Sequence, residues 1–174
     1  MTTDFTGLLD QIENSLRPWN YEFIIHTNQS LNNIDFVGCI MTSRRWMTRY
    51  ICGIIEIPKD VISHQDILTY ADRALKTLSD QYTQFPYWKE LGTYLVILCN
   101  AKQYKTLSVS EGEFKHKSGF HTNVWLGTIL IDKENFQTVG QKTWGLYSSG
   151  KHYEAIKMSV GSWCEENRQA KYIV

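Results

Sequence analysis

Ile34–Lys59 reads IDFVGCIMTSRRWMTRYICGIIEIPK, and the rest of the chain organises around it. Ile34–Met41 and Tyr50–Ile57 are rich in β-branched and aromatic residues, which suit a pleated, buried surface. Each is therefore expected to be a strand. Ser43–Arg49 joins them and sets three permanent charges, Arg44, Arg45 and Arg49, around the indole of Trp46. Guanidinium forks match carboxylate or phosphate, and an indole offers a face for stacking. The connection is thus a candidate contact surface on a hairpin.

Upstream, Phe5, Leu8, Leu9, Ile12 and Leu16 recur at helical spacing, so a helix is expected over Asp4–Leu16, stopped by Pro18. A strand over Tyr21–His26 and a reversal in NQSLNN complete an expected antiparallel meander of three strands. Downstream, Ser63 and Asp66 have capping-box spacing. Ile67, Ala71, Ala74, Leu75, Leu78 and Tyr82 then line one helical face. Thr93–Cys99 is apolar throughout, as in a central strand covered on both faces. Ala101–Leu107 reads as a short helix, the polar run from Ser108 to Phe120 as a surface loop, and His121–Asp132 as a strand. A short strand is expected at Lys142–Tyr147 and a final helix from about Gly150 to Arg168, burying Tyr153, Ile156, Val160, Trp163 and Cys164. The order is α-β-β-β-α-β-(α)-β-(β)-α. It implies an α/β (α+β) fold, a single mixed, mainly antiparallel sheet covered by helices, in one domain over residues 1–174.

Composition bounds the function. The 174 residues carry 18 Lys+Arg and 18 Asp+Glu, so no global field attracts nucleic acid or anionic lipid, and any polyanion site must be local. The N-terminal MTTDFTGLLDQ lacks a basic segment followed by an apolar one, and no apolar run is long enough to span a bilayer. Cys39, Cys52, Cys99 and Cys164 are far apart and form no zinc-ligand spacing, which fits buried thiols in a cytoplasmic protein.

The order helix, three strands, helix, strand over about residues 4 to 99, together with Glu13, Asp35, Glu56 and Lys59, resembles the core of the PD-(D/E)xK restriction-endonuclease-like nucleases. In that family a strand carboxylate and an acid-x-lysine motif on the next strand hold Mg²⁺ and polarise the attacking water. The resemblance implies Asp35 as first acid, Glu56 as second and Lys59 near the lysine position. The second motif here reads Glu-Ile-Pro-Lys, one residue longer, with Pro58 at the family's lysine position; no proline precedes Asp35. In an extended strand the added residue sends Glu56 and Lys59 to opposite faces.

Gly145–His152, GLYSSGKH, fits a phosphate-loop spacing but places His152 where the Mg²⁺-binding hydroxyl belongs, and too little chain follows for a nucleotide hydrolase. What survives is a helix start where Lys151 and His152 could hold an anion. No complete catalytic signature is present. The leading expectation is therefore a non-enzymatic binding module without cofactor or metal. It would engage a protein or nucleic acid through Arg44, Arg45, Trp46 and Arg49, with Lys151 and His152 as a second contact. The alternative is a divergent Mg²⁺-dependent nuclease using Asp35, Glu56 and Lys59.

Overall fold

In the computed structural model, residues 5–19, 23–42, 48–82, 90–108, 123–142 and 148–173 are described. They form α1 (Thr6–Leu16), which runs into a short 3-10 turn (Arg17–Trp19), then β1 (Phe23–Leu31), β2 (Ile34–Thr42) and β3 (Thr48–Glu56). There follow α2 (His64–Tyr82), β4 (Glu90–Cys99), α3 (Ala101–Ser108), β5 (Asn123–Asp132), β6 (Gln137–Lys142) and α4 (Ser148–Ile173). All six strands lie in one sheet, in the order of the sequence. The β1–β2, β2–β3 and β5–β6 pairs are antiparallel, and β3–β4 and β4–β5 are parallel. The expected mixed, mainly antiparallel sheet is present.

The connections account for this alternation. β1 and β2 are joined by Asn32 and Asn33 alone, with φ of 50° and 61°. Two left-handed residues match the twist of a tight hairpin, and asparagine tolerates that region. The reversal expected across NQSLNN is therefore confined to its last two residues, and β1 runs on to Leu31. A parallel return needs a crossover, which α2 supplies between β3 and β4.

Helices cover both faces. On one, α2 and α3 pack against Phe36, Ile51, Ile55, Leu95, Ile97 and Cys99; on the other, α1 and α4 pack against Ile40, Cys52, Ile54, Tyr94, Val96 and Leu98. Successive residues of β4 thus point into opposite cores, and Leu91–Cys99 is buried throughout. α2 begins as its sequence suggests: the Ser63 hydroxyl accepts the Asp66 amide at 3.1 Å and donates to the Asp66 carboxylate. Among the described residues no helix is long and apolar enough to cross a membrane.

Two departures from expectation matter. The last described strand is Gln137–Lys142; of the expected Lys142–Tyr147, residues 143–147 lie outside the described residues. It starts early because Asp132 builds a tight turn. Its carboxylate accepts the amides of Glu134 at 2.8 Å and Asn135 at 3.2 Å, and the Asn135 side-chain amide at 2.8 Å. β2 also carries a bulge. Phe36 pairs with Ile55 but Gly38 with Ile54, so one extra residue is inserted between them.

Candidate functional site

β2 begins where β3, β4 and β5 end, and at that end of the sheet lies a cleft of about 480 Å³. Asp35, Glu56 and Lys59 all line it, with Ser30, Ile57, Pro58 and Tyr70. Beyond the Phe36–Ile55 pair, one further step of the register sets Asp35 across from Glu56. Directly opposed residues share a face, with Cβ atoms about 5 Å apart in such pairs. Both carboxylates alternate with the α2-facing residues Ile34, Phe36, Ile55 and Ile57, and so project from the other face. Asp35 is exposed and Glu56 half-buried at the sheet end.

Lys59 reaches the same cleft because the strand does not continue, which reverses the expectation of opposite faces. β3 ends at Glu56; the Ile57 amide still bonds the Leu98 carbonyl at 3.0 Å, and Pro58 then has no amide to offer a ladder. The chain turns, with the Val61 amide on the Pro58 carbonyl at 3.1 Å. Buried Gln103 clamps this turn. Its side-chain amide donates to the carbonyls of Pro58 at 2.9 Å and Val61 at 2.8 Å, while its Oε1 accepts the Asn100 amide at 2.9 Å. A residue of α3 thereby positions the loop that carries Lys59.

Two side chains that sequence reading passed over bear on the site, Tyr70 in the lining of the cleft and Lys133 through its contact with Glu56. Lys133, in the turn after β5, donates from Nζ to Glu56 Oε1. Its own backbone is fixed, since its amide bonds the Cys99 carbonyl at 2.9 Å. Tyr70, on α2, has its phenol raised above the ordinary value, first by burial and next by the Asp35 carboxylate. Glu56 adds to the rise, while a backbone hydrogen bond from Asp35 and the charge of Arg73 oppose it. The phenol therefore stays protonated near neutrality and can donate a hydrogen bond in the cleft. Neither residue has a local signature: Lys133 sits in an ordinary polar turn and Tyr70 in a helical stripe.

Arg44, Arg45 and Trp46 fall outside the described residues. Arg49 lies half-buried in β3, its backbone in register with Leu91. Lys151 is exposed, whereas His152 is buried in the first turn of α4, edge-on to Tyr50 with ring centroids 4.6 Å apart. Burial lowers the His152 pKa to about 4, so this imidazole is neutral and does not join Lys151 as an anion-holding charge. On α4, Glu165 meets Arg168 and Glu166 accepts a hydrogen bond from the Gln11 side-chain amide.

Other chemistries find less support. All four cysteines are buried and unpaired. Burial pushes the Cys39, Cys99 and Cys164 thiols up to about 12 and raises Cys52 as well, the reverse of what a nucleophile needs. Among the described residues no three His, Cys, Asp or Glu side chains form a metal-holding group. Comparison with protein-family models, with curated proteins and with solved structures gives no match.

Proposed function

We propose that the sheet-end cleft is the working site of a divergent metal-dependent phosphodiesterase of the nuclease class. The observation that carries this reading is that Asp35, Glu56 and Lys59 line one cleft, the two acids each one residue beyond the Phe36–Ile55 pair. The order α1-β1-β2-β3-α2-β4 supports it, being the order on which the resemblance to PD-(D/E)xK nucleases rests. The donor set suits Mg²⁺, which is commonly held by one or two carboxylates, its remaining positions filled by water and substrate phosphate. It does not suit a closed structural site, which needs more protein ligands.

Bound there, Mg²⁺ supplies Lewis-acid polarisation of a phosphoryl oxygen and a water of lowered pKa. The protein's part is local. Asp35 and Glu56 present oxygen ligands; exposed Lys59 offers a charge to an arriving phosphate; the Tyr70 phenol donates a hydrogen bond to an anionic oxygen. Phe36, Ile57 and Pro58 give the cleft apolar walls that strengthen those interactions. Pro58 stands where the family motif has its lysine, so that duty falls to a side chain arriving from elsewhere. A cytoplasmic setting belongs to the same reading, supported by four buried, unpaired thiols.

The test is cleavage of plasmid and single-stranded DNA with Mg²⁺ or Mn²⁺, in the wild type and in Asp35→Asn and Glu56→Gln. Cleavage that needs the metal and falls to background in both folded variants is expected. A folded wild type that cleaves neither DNA with either metal would sink the proposal.

A second reading, a non-enzymatic binding surface for an acidic partner, draws on the opposite end of the sheet. There the His152–Tyr50 contact brings the start of α4 beside the start of β3, so exposed Lys151 and half-buried Arg49 belong to one region. Lys142 belongs there too, since a Cβ built on Gly150 would lie 2.7 Å from its Nζ. Affinity capture at low salt by wild type and by an Arg49→Ala/Lys151→Ala double variant tests it; equal capture would dismiss it.

A further inference from the structure

Glu56 already has a cation. Lys133 Nζ rests on its Oε1, although Lys133 follows β5, the second strand away, and belongs to no acid-x-lysine motif. We infer that Lys133 is the resident charge on Glu56: it occupies that carboxylate when no divalent cation is bound, and on metal binding is released to the substrate phosphate. This rests on the metal-dependent reading above.

The argument is geometric. A divalent cation and an ammonium cannot share one carboxylate oxygen closely without strong mutual repulsion. The backbone of Lys133 cannot follow the ammonium away. Its amide is tied to Cys99, and its turn is held by the Asp132 carboxylate and by two donors from α4, Arg168 to the Phe136 carbonyl at 2.8 Å and Lys171 to the Glu134 carbonyl at 2.7 Å. What can move is the four-carbon stem, whose ammonium is a compact charge on rotatable bonds. Displaced from Glu56, it swings from a fixed point beside that carboxylate, where a substrate phosphate in the cleft offers a negative charge. Lys133 thus takes the role that Pro58 leaves vacant. The Lys133 side chain is 19 % exposed and that of Glu56 41 %, so water screens the pair only in part.

The readout that separates this role from a structural one is metal affinity without substrate. Mn²⁺ binding is measured calorimetrically for the wild type, Lys133→Met, Lys133→Arg and Glu56→Gln, each checked for its fold by circular dichroism. Lys133→Met is expected to bind Mn²⁺ about threefold to tenfold more tightly than wild type, since a competing charge has gone. Lys133→Arg should stay near wild type, and Glu56→Gln should lose binding. At saturating Mn²⁺, single-turnover DNA cleavage by Lys133→Met should nonetheless be slower than that of the wild type. Equal Mn²⁺ affinity in wild type and Lys133→Met, with Glu56→Gln still deficient, would overturn the role of Lys133 and leave the metal site standing. No Mn²⁺ binding by any folded protein in the set would overturn both.

Discussion

His152 shows how one degree of burial redirects a residue's chemistry. Next to Lys151 in SSGKH it reads as a solvated helix start. Yet His152, Ile156, Ser159 and Trp163 stand four, three and four residues apart, and all are buried. That stripe was visible in the sequence; the charged neighbour obscured it. The folded-state pKa near 4 lies below the ordinary 6.5. Between those values the unfolded chain binds the extra proton, so stability falls as pH falls, while above pH 6.5 both states are neutral and the contribution is flat. The full loss is roughly 3 kcal/mol by the usual conversion of pKa difference to free energy. Urea unfolding of wild type and His152→Leu between pH 7 and 4.5 checks it. The wild type should lose stability more steeply than the variant, and parallel curves would show that His152 titrates alike folded and unfolded.

At the scale of elements, legibility followed the depth of burial. α2 and β4 were plain because each answers to one strong period: a single buried stripe for the helix, unbroken burial for the strand. β6 was missed because an edge strand reading QTVGQK covers little and buries no residue fully. Its place is set instead by what packs above. The ring of Tyr153 on α4 lies over β5 and β6: a Cβ built on Gly127 would come within 2.5 Å of the ring, and one on Gly140 within 2.5 Å of its hydroxyl oxygen. Both glycines make room for one aromatic side chain. Gly127→Val should therefore lower stability by about 1–3 kcal/mol, as overpacking does in a close-fitted core. Chemical denaturation measures this, and an unchanged midpoint would mean that α4 can lift off the sheet at little cost.

For the whole molecule, a sheet numbered in sequence order places its best-protected strand by topology. β4 has parallel neighbours on both sides and apolar helices above and below, whereas β6, among the described residues, pairs along one edge only. Opening free energy should rise accordingly from edge to centre. Native-state hydrogen exchange should find the β4 amides slowest and those of β6 far faster, and comparable rates in the two would contradict the layered arrangement. The candidate site was half legible at this scale. Asp35, Glu56 and Lys59 are each conspicuous in the sequence, but their meeting depends on where β3 stops and on the register of β2, and both are properties of the assembled sheet. Lys133 was beyond reach, since it arrives at Glu56 across 77 positions of chain.

The bulge in β2 has one more implication, and it is arithmetical. On its Ile34 side the pairing follows Phe36 with Ile55; on its far side it follows Gly38 with Ile54, one count out of step. Shifting a strand by one residue exchanges its two faces. Carried on through Val37 without the bulge, the far-side register would set Val37 against Ile55 and Asp35 against Ile57, turning Asp35 towards α2; deleting Val37 instead leaves Phe36 on Ile55 and Asp35 beside Glu56. Two lineages carrying the same carboxylates could thus differ in whether those groups ever meet, through whether one extra residue is absorbed within a nine-residue strand and nothing else.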